Sequence, residues 1–403
     1  MADGNFLFIL RVDRRFPYVH LFLMAVATRA SSTVQRVECT LYRVPLKEPV
    51  SDAKVATGRQ SPLSEVDVVI ARILTTDGFE GVGFSYSKRA GGPALFAHAK
   101  QLAPLLVGED ALDIGRIWHK LLWAAASIGR QGVAVQAIAA FDLALWDCKA
   151  KGTGMSLAKL LGCFRQTVRC YDTTVGFLSS DIDSIVAASE RSLARGMGGI
   201  KLKVGGDPRE DVARVRALRK ALGDKVAIMV DANQAWDRAQ AKRIGRRLEE
   251  FDLTWIEEPV DAHDVAGHAA LRAALDTPVA TGEMLSSATD LRRLLDSEAV
   301  DVIQPDAVRI GGITPYRRIS ELADELNVMV APHFATQLHV HLAATQPREG
   351  WVEWFDWLDP LFEERLELRD GRVGVPERLG LGLTVTSRAR EWLVSTADTP
   401  ERP

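Results

Sequence analysis

The second half of the chain repeats one arrangement of apolar and polar positions. From Val168 onward, short β-type runs alternate with amphipathic helical stretches such as 209–222. The run GIKLKVG at 199–205 alternates apolar residues with two lysines, which places Lys201 and Lys203 on one face of a strand. Eight such strands in about 190 residues predict parallel β/α units that close into a barrel. An open doubly wound sheet is the alternative, but no G-x-G-x-x-G opens a helix here.

The first half of the chain has a different order of elements. Its β-type runs come first and its helical runs follow, with β patterns at 34–44 and 66–87 and helical patterns at 94–106, 114–126 and 132–150. This order predicts an α+β domain over 34–161, followed by the barrel over 162–357. The tail, 358–403, contains turns and short strands and is predicted to return to the first domain.

Residues 1–33 precede both domains and include a signal-like stretch. The apolar run FPYVHLFLMAVA at 16–27 follows several arginines and ends in small residues, as a secretory signal does. It is too short, and too polar at His20, to span a membrane. The alternative is that Met24 is the true start and residues 1–23 are an upstream extension. We favour the extension, which predicts a cytoplasmic protein, over export to the periplasm or beyond.

Composition excludes several classes of protein. The 403 residues are 47% hydrophobic and carry a formal net charge of −3, so the chain can build a large core and has no general attraction to nucleic acid. Its four cysteines show no C-x-x-C spacing, which favours ordinary thiols in a reducing compartment. We therefore expect a small-molecule substrate, with neither nucleic acid nor membrane as a partner.

Charged or polar residues end each predicted barrel strand from the second onward. They are Lys201 and Lys203, Asp231 and Asn233, Glu257 and Glu258, Glu283, Asp306, His333, and Glu353. Their spacing is that of one β/α unit, so they recur at the same height of the barrel. Catalytic groups of such barrels converge at the C-terminal ends of the strands. These residues are therefore predicted to form one site.

Three of these residues are carboxylates on consecutive strands, namely Asp231, Glu257 and Glu283. Brought together without a partner they would repel one another, and a hard divalent cation resolves the repulsion. Ligation by oxygen alone favours Mg²⁺, or Mn²⁺, over zinc. Glu258 follows Glu257 and points the other way in a strand, but Pro259 suggests that the strand is ending. We assign the ligand role to Glu257, and Glu258 is expected to hydrogen-bond the lysines instead.

Asp306 and His333 are expected to be neighbours, because they end the sixth and seventh strands. A carboxylate beside an imidazole fixes its tautomer and raises its basicity, which makes a general acid/base. On the opposite side, flanking cations are expected to lower the pKa of each lysine, so that one can act as a neutral base. With a metal between them, these groups can remove the weakly acidic proton next to a carboxylate. His339 and His341 are predicted to be packing or surface residues.

These motifs together resemble the enolase superfamily, in its mandelate racemase-like subgroup, over residues 34–395. The motifs that carry the resemblance are KLK, VDANQAW, WIEEP, TGE, IQPD and APHF, in order and at barrel spacing. The resemblance implies a modified (β/α)₇β TIM-like barrel with an N-terminal α+β capping domain, in a homo-oligomer. It also implies one Mg²⁺ per subunit, bound by Asp231, Glu257 and Glu283.

The same resemblance implies roles for the remaining residues. Lys203 would be the base on one face of the substrate, with Lys201 beside it contacting the substrate carboxylate. His333, paired with Asp306, would act on the other face. Two further substrate-binding positions are Glu353 and Asn233.

Three stretches are similar to the galactarate/L-talarate dehydratases, which act on six-carbon acids with a carboxylate at each end. They are GFSYSKRAGG (83–92), WIEEPVDAHDVAGHAAL (255–271) and DPLFEERLELRDGR (359–372). The similarity implies removal of the α-proton and the β-hydroxyl to give a 3-deoxy-2-keto acid, with some epimerisation. Lys88 and Arg89 are predicted to bind the second carboxylate. The sequence departs from the family at 334–339, where FATQLH carries Thr336 and Gln337 instead of a hydrophobe and an acid.

Other functions stay open at this point. Within the family, the chain could be a dehydratase of monocarboxylate aldonates, or a racemase or epimerase. Outside enzymology, a barrel that has lost catalysis could serve as a binding protein, although the three carboxylates, both lysines and the His–Asp pair are all retained.

Overall fold

The structure, a computed structural model, describes residues 32–399. The signal-like stretch at 16–27 and the alternative start at Met24 lie outside this range. No helix within the range is both long enough and apolar enough to cross a membrane. We call residues 32–161 the capping region and residues 167–354 the barrel region.

An antiparallel sheet of four strands forms the base of the capping region. The strands are β1 (Val34–Val50), β2 (Leu63–Thr75), β3 (Glu80–Lys88) and, from the C-terminal tail, β14 (Leu393–Asp398). Their order is β14-β1-β2-β3, so the end of the chain pairs with its described beginning. Gly78 turns the chain between β2 and β3 at a φ of 86°, which a residue with a Cβ rarely adopts.

The described capping region also contains α-helices. They are α1 (Ala53–Ala56), α2 (Gly92–Leu102), α3 (Ile114–Ala124), α4 (Val133–Gly152) and α5 (Leu157–Leu160). The long helix α4 lies directly against β3, where Gly81 and Gly83 allow close approach. A Cβ at Gly83 would lie 2.0 Å from the carbonyl oxygen of Ala140. The two glycines therefore fix how deeply α4 sits on the sheet.

Eight parallel strands alternate with helices in the barrel region. The strands are β4 (Thr167–Asp172), β5 (Gly199–Lys203), β6 (Ala227–Asp231), β7 (Trp255–Glu257), β8 (Val279–Thr281), β9 (Val302–Ile303), β10 (Met329–Val330) and β11 (Trp351–Trp354). The helices are α6 (Ile182–Ala194), α7 (Pro208–Leu222), α8 (Arg238–Leu248), α9 (Val265–Arg272), α10 (Ala288–Asp296), α11 (Ile313–Glu325) and α12 (Thr336–Ala343). A short hairpin, β12 (Leu368–Arg369) and β13 (Arg372–Gly374), follows and joins β4.

Hydrogen-bonded pairs join these strands in sequence order from β4 to β10, and β11 pairs with β4. The start of β11 also touches β10, because a Cβ at Gly350 would lie 1.9 Å from the carbonyl oxygen of Val330. The register aligns Lys203 with Asp231, and Asp231 with Glu257. Parallel pairing thus brings the polar ends of neighbouring strands to one level.

A layer of apolar side chains fills the interior of the barrel directly beneath the polar strand ends. It contains Tyr171, Met229, Trp255, Ala280, Val302, Ala331 and Trp351, all buried. Met229, Trp255 and Trp351 each lie two residues before a polar strand-end residue, so they share its face of the strand. Charged groups above this layer are therefore screened little by water, and each must find a partner within the protein.

Candidate active site

Lys201 and Lys203 project from β5 to the same side, as the alternation predicts, and both are buried. The Nζ of Lys201 lies 2.6 Å from Oε1 of Glu257 and 2.6 Å from Oε1 of Glu353. The Nζ of Lys203 donates a hydrogen bond to Oδ2 of Asp231. Each lysine is therefore held by at least one carboxylate from the end of another strand.

These carboxylates reverse the expected shift of the lysine pKa values. Burial alone would lower the pKa of Lys201, but Glu257 and Glu353 outweigh it and raise the pKa well above its ordinary value. Burial is likewise outweighed at Lys203, whose pKa is raised by Asp231. Lys201 does lower the pKa of Lys203, as expected of a flanking cation, but the carboxylates around the two lysines outweigh this effect, so the net shift of both pKa values is opposite to the predicted one.

Asp231, Glu257 and Glu283 come together as one buried cluster. One oxygen of each lies within 4.8 Å of the others. Burial raises the pKa of Glu257, whereas His333 and other cations overcome burial at Glu283 and lower its pKa. Three carboxylate oxygens at this separation form a donor set that suits a hard divalent cation.

Protein donors orient the cluster. Glu257 accepts from Nε2 of Gln304 at 2.6 Å and from the indole of Trp255 at 3.1 Å. Asp231 accepts from the backbone and side-chain amides of Asn233 at 2.7 and 3.0 Å. The predicted substrate-binding residue Asn233 therefore supports a carboxylate, although it also lines the cavity described below.

Glu258 turns away from Lys201 and Lys203, contrary to the expectation that it would hydrogen-bond them. Its φ of 41° lies in the left-handed region, which rotates its side chain out of the strand pattern. It accepts from Nε2 of Gln234 at 2.9 Å and lies 3.9 Å from Nζ of Lys54. Burial raises the pKa of Glu258 to about 8. Its partner is thus a lysine of the capping region.

His333 and Asp306 are neighbours, as predicted. Nδ1 of His333 lies 2.8 Å from Oδ2 of Asp306, which also accepts from the hydroxyl of Tyr86. Although burial opposes it, the hydrogen bond with His333 holds the pKa of Asp306 below its usual range. Burial lowers the pKa of His333. Nδ1 therefore faces Asp306, while Nε2 lies 3.3 Å from Nζ of Lys88 and 3.5 Å from Oε2 of Glu283.

The loop that carries His333 has an unusual backbone. Phe334 and Ala335 have φ values of 57° and 38°, which L residues rarely adopt. The amide of Phe334 donates to Glu353 at 2.8 Å, and its carbonyl accepts from Nδ1 of His339 at 2.7 Å. Both His339 and His341 are fully buried, and His339 braces this loop.

Thr336 and Gln337, where the sequence departs from the family pattern, lie away from the catalytic groups. The hydroxyl of Thr336 donates to the carbonyl of Glu353 at 2.7 Å, and Gln337 donates to Asp359 at 2.5 Å. Neither residue lines the cavity. The departure therefore concerns packing rather than contact with a ligand.

A cavity of about 250 Å³ lies over these groups. Lys203, Glu283, His333, Glu353 and Asn233 line its barrel side. The capping region supplies the opposite side, with Asp52, Lys54, Gln60, Tyr86, Lys88, Arg89 and Gln136. A larger cavity of about 520 Å³, bordered by 45–50 and α6, contains none of the predicted site residues.

Lys88 and Arg89 both reach this cavity but are held differently. Nζ of Lys88 lies 3.3 Å from Nε2 of His333 and 4.2 Å from the ring centre of Phe334. Burial lowers the pKa of Lys88 to about 7. Arg89 donates to the carbonyl of Ser61 at 2.8 Å and pairs with Asp52 at 3.4 Å.

Several cavity residues were not predicted from the sequence. They are Lys54, Tyr86, Gln136 and Arg309. Tyr86 lies within a β pattern and gave no signal of its own. Lys54 lies in a segment without a motif, and only its contact with Glu258, distant in the sequence, reveals it. Arg309 follows Asp306 by three residues and pairs with it at 3.9 Å.

Comparison with known proteins agrees with this architecture. The mandelate racemase/muconate lactonizing enzyme N-terminal domain matches residues 37–162, and the enolase C-terminal domain-like family matches residues 184–389. The L-talarate/galactarate dehydratase of Salmonella typhimurium is 54% identical over 379 residues, covering 94% of this chain and 95% of that protein. The 3,6-anhydro-alpha-L-galactonate cycloisomerase of Streptomyces coelicolor is 34% identical, covering 87% and 97%.

Solved structures give the same result. The Salmonella dehydratase liganded with Mg and L-lyxarohydroxamate has a TM-score of 0.92, covering 94% of this chain and 97% of that one. The L-talarate dehydratase of Polaromonas, complexed with Mg and L-glucarate, is 55% identical with a TM-score of 0.90, covering 92% and 100%. The predicted fold class, a TIM-like barrel with an N-terminal capping domain, is confirmed. The chain belongs to the mandelate racemase/muconate lactonizing enzyme family of the enolase superfamily.

Proposed function

We propose that this chain is a Mg²⁺-dependent acid-sugar dehydratase that acts on galactarate and L-talarate. The observation that carries the proposal is one cavity lined by Lys203, by His333, which Asp306 holds at 2.8 Å, and by Glu283 of the metal cluster. Such a site can remove a proton next to a carboxylate and return one to the leaving group. The 54% identity to a dehydratase of these acids supports the choice of substrate.

Asp231, Glu257 and Glu283 would hold the metal, one ion per subunit. Their all-oxygen donor set fits Mg²⁺, and Mn²⁺ has the same ligand preference. When bound, the ion supplies Lewis-acid stabilisation of charge on the substrate carboxylate and competes with Lys203 for Asp231. Lys201, held between Glu257 and Glu353, would donate to the same substrate carboxylate.

Lys203 and His333 divide the proton transfers between the two faces of the substrate. Galactarate and L-talarate are epimers at the reacting carbon, so the group on the face that bears the α-hydrogen removes it. His333 then donates the proton on its Nε2 to the departing β-hydroxyl, which leaves as water. When His333 is the base, this is the proton that it has just removed; when Lys203 is the base, His333 enters the step protonated on both ring nitrogens, with Asp306 balancing its charge. The enol product tautomerises to a 3-deoxy-2-keto acid. Asp306 holds the imidazole in its reactive tautomer throughout.

The second carboxylate of the substrate would lie against the capping region. We infer that Lys88 and Arg89 bind it, since both line the cavity beyond the metal cluster. Lys54 adds a third cation on this side. Glu353 and Asn233 would contact the reacting end of the substrate, where both border the cavity.

A screen of acid sugars tests the proposal. The purified protein with Mg²⁺ is incubated with galactarate, L-talarate and the monoacid galactonate, and keto acid is measured as its semicarbazone. We expect keto acid from both diacids and little from galactonate. Conversion of monoacids with none of galactarate would reject the substrate assignment. The Lys203→Ala variant, prepared identically, controls for contaminating activity.

Epimerisation is a second candidate activity, favoured by the placement of acid/base groups on both sides of one cavity. Incubation in D₂O separates the two reactions. Deuterium entry at the α-carbon of recovered acid, without keto acid, would identify an epimerase or racemase. Keto acid formed faster than deuterated acid would identify a dehydratase.

The setting of the protein is also inferred. We place it in the cytoplasm, because all four cysteines are free thiols in the structure. The resemblance to the family supports a homo-oligomer. The net charge of −3 offers no general attraction to nucleic acid.

A further inference from the structure

Five cationic side chains line the cavity, and they differ in their partners. Four have a carboxylate within 4.0 Å: Lys54 with Glu258, Lys203 with Asp231, Arg89 with Asp52, and Arg309 with Asp306. Lys88 is the exception, because no carboxylate within residues 32–399 lies that close to its Nζ. Lys88 is therefore the one lysine or arginine of the described cavity lining that forms no ion pair with a carboxylate.

Lys88 instead occupies the reactive nitrogen of His333. Nδ1 of His333 faces Asp306 at 2.8 Å, and Nε2 lies 3.3 Å from Nζ of Lys88 and 3.5 Å from Oε2 of Glu283. The ammonium also lies over the rings of Tyr86, Phe334, Phe355 and Trp357, at 4.2 to 5.7 Å from their centres. His333 cannot exchange a proton with a substrate while Lys88 holds Nε2.

We propose that Lys88 is a specificity-determining residue that caps Nε2 of His333 until a second carboxylate of the substrate draws its ammonium away. This inference rests on the proposed function. A charge-assisted hydrogen bond to a carboxylate is stronger than the contacts to neutral imidazole and aromatic rings that hold Lys88 in the empty cavity. Binding a diacid would therefore release the imidazole.

A lysine that caps Nε2 of His333 and a lysine that only binds the distal carboxylate of the substrate should differ in their effect on the kinetics. A monoacid can bind through its reacting carboxylate but offers nothing to Lys88, so His333 stays capped. Monoacids should then have a lower kcat as well as a higher KM than diacids. A lysine that only anchors the distal carboxylate would affect the KM of diacids alone.

Kinetics of Lys88→Met and Lys88→Arg on galactarate and galactonate test this. Methionine keeps the length of the side chain but can neither cap Nε2 nor bind a carboxylate. We expect Lys88→Met to raise the KM for galactarate and to raise the kcat for galactonate. The ratio of kcat for galactarate to kcat for galactonate should fall by about tenfold, the effect of losing one charge-assisted hydrogen bond. Lys88→Arg should restore the preference for diacids. A kcat for galactonate that stays the same or falls in Lys88→Met would overturn the proposal.

A binding measurement tests the same exchange without turnover. In the Mg²⁺-loaded protein with ¹⁵N-labelled histidine, the Nε2 resonance of His333 reports whether its lone pair accepts a hydrogen bond. Adipate, a six-carbon diacid that cannot react, should move this resonance to its position in Lys88→Met, and hexanoate should not. Equal responses to both acids, or to neither, would reject the capping role. If adipate shifts the resonance but no acid sugar is dehydrated, the proposed function fails while the capping contact stands.

Discussion

The two sides of the cavity are built in different ways. On the barrel side, Lys201 and Asp231 sit in parallel strands whose register is fixed by the sheet, and each has several hydrogen-bonding partners. On the capping side, Lys54 and Lys88 come from α1 and the end of β3, with contacts to single polar groups and to aromatic rings. The barrel side is suited to chemistry that needs fixed geometry, and the capping side to recognition that can adapt.

Removing an acid/base group on the barrel side should have the largest effect. Lys203→Ala and His333→Asn should each lower kcat on galactarate by at least about 10³-fold, because each removes the proton carrier of one face. Steady-state kinetics with saturating Mg²⁺ measures this.

Matched controls exist for both substitutions, since Lys220 and His263 are exposed and do not line the cavity. Lys220→Ala and His263→Asn should behave like the unmodified protein. Near-native turnover of both Lys203→Ala and His333→Asn would contradict the division of proton transfers between two faces.

The same contrast explains what could be predicted from the sequence. The alternation in GIKLKVG and the spacing of the strand-end carboxylates correctly predicted that Lys203, Asp231 and Glu257 lie at one level of the barrel. The side-chain alternation of a strand, and the pairing register that follows from it, can be read from short stretches of sequence. Glu258 was misplaced because its φ of 41° breaks the strand pattern. The net shifts of the lysine pKa values were misjudged because Glu257 at Lys201 and Asp231 at Lys203 outweigh the neighbouring cation, a balance that depends on distances in the folded site.

The capping side was only partly predictable. Lys88 and Arg89 were identified by resemblance, but the contact of Lys88 with His333 joins residues 245 positions apart. Lys54 was missed because its segment, between β1 and β2, has neither a periodic pattern nor a motif. Such contacts follow from how the capping region packs on the barrel, which local patterns do not encode.

Binding of Mg²⁺ should distinguish the two sides of the cavity, because the proposed metal ligands all lie on the barrel side. At a Mg²⁺ concentration 100 times its Kd, the free energy of unfolding should rise by about 2.7 kcal/mol by mass action. Chelation with EDTA should reverse the gain in thermal unfolding experiments. Asp231→Asn should lose most of the Mg²⁺ response, whereas Lys54→Gln should keep it. An unchanged melting temperature with Mg²⁺ would argue against the metal site.

The junction between the two regions should give stability a dependence on pH. Asp142 of α4 accepts from the backbone and hydroxyl of Thr314 at the start of α11, at 2.9 and 2.6 Å, with Arg318 contributing nearby charge. Burial raises the pKa of Asp142 to about 7. The folded protein therefore keeps a proton that the unfolded chain releases near pH 4. This contribution is fully present at low pH and is lost as pH rises towards 7.

The free energy of unfolding should accordingly carry a loss of about 2 kcal/mol from Asp142 between about pH 5 and about pH 8. Asp142→Asn cannot ionise and should show a shallower decline over this range in urea titrations. Asp183→Asn, which removes an exposed carboxylate of α6, controls for the loss of one charge. Equal slopes for Asp142→Asn and the unmodified protein would show that the junction is insensitive to pH.

Changing a cation of the capping side should have the smallest effect, and it should fall on binding. Lys54 lines the cavity, with its Nζ 3.9 Å from Glu258 and 3.8 Å from Sδ of Met284, and acts on Glu283 through charge alone. Lys54→Gln should raise the KM for galactarate by about tenfold, because one charge-assisted contact is lost, and leave kcat within about threefold. Lys47→Gln, at an exposed lysine paired with Asp356 outside this cavity, should change neither constant. A fall in kcat as large as that of Lys203→Ala would place Lys54 among the groups that act on the reacting carbon, and the division of the cavity into a catalytic and a recognition side would then be wrong.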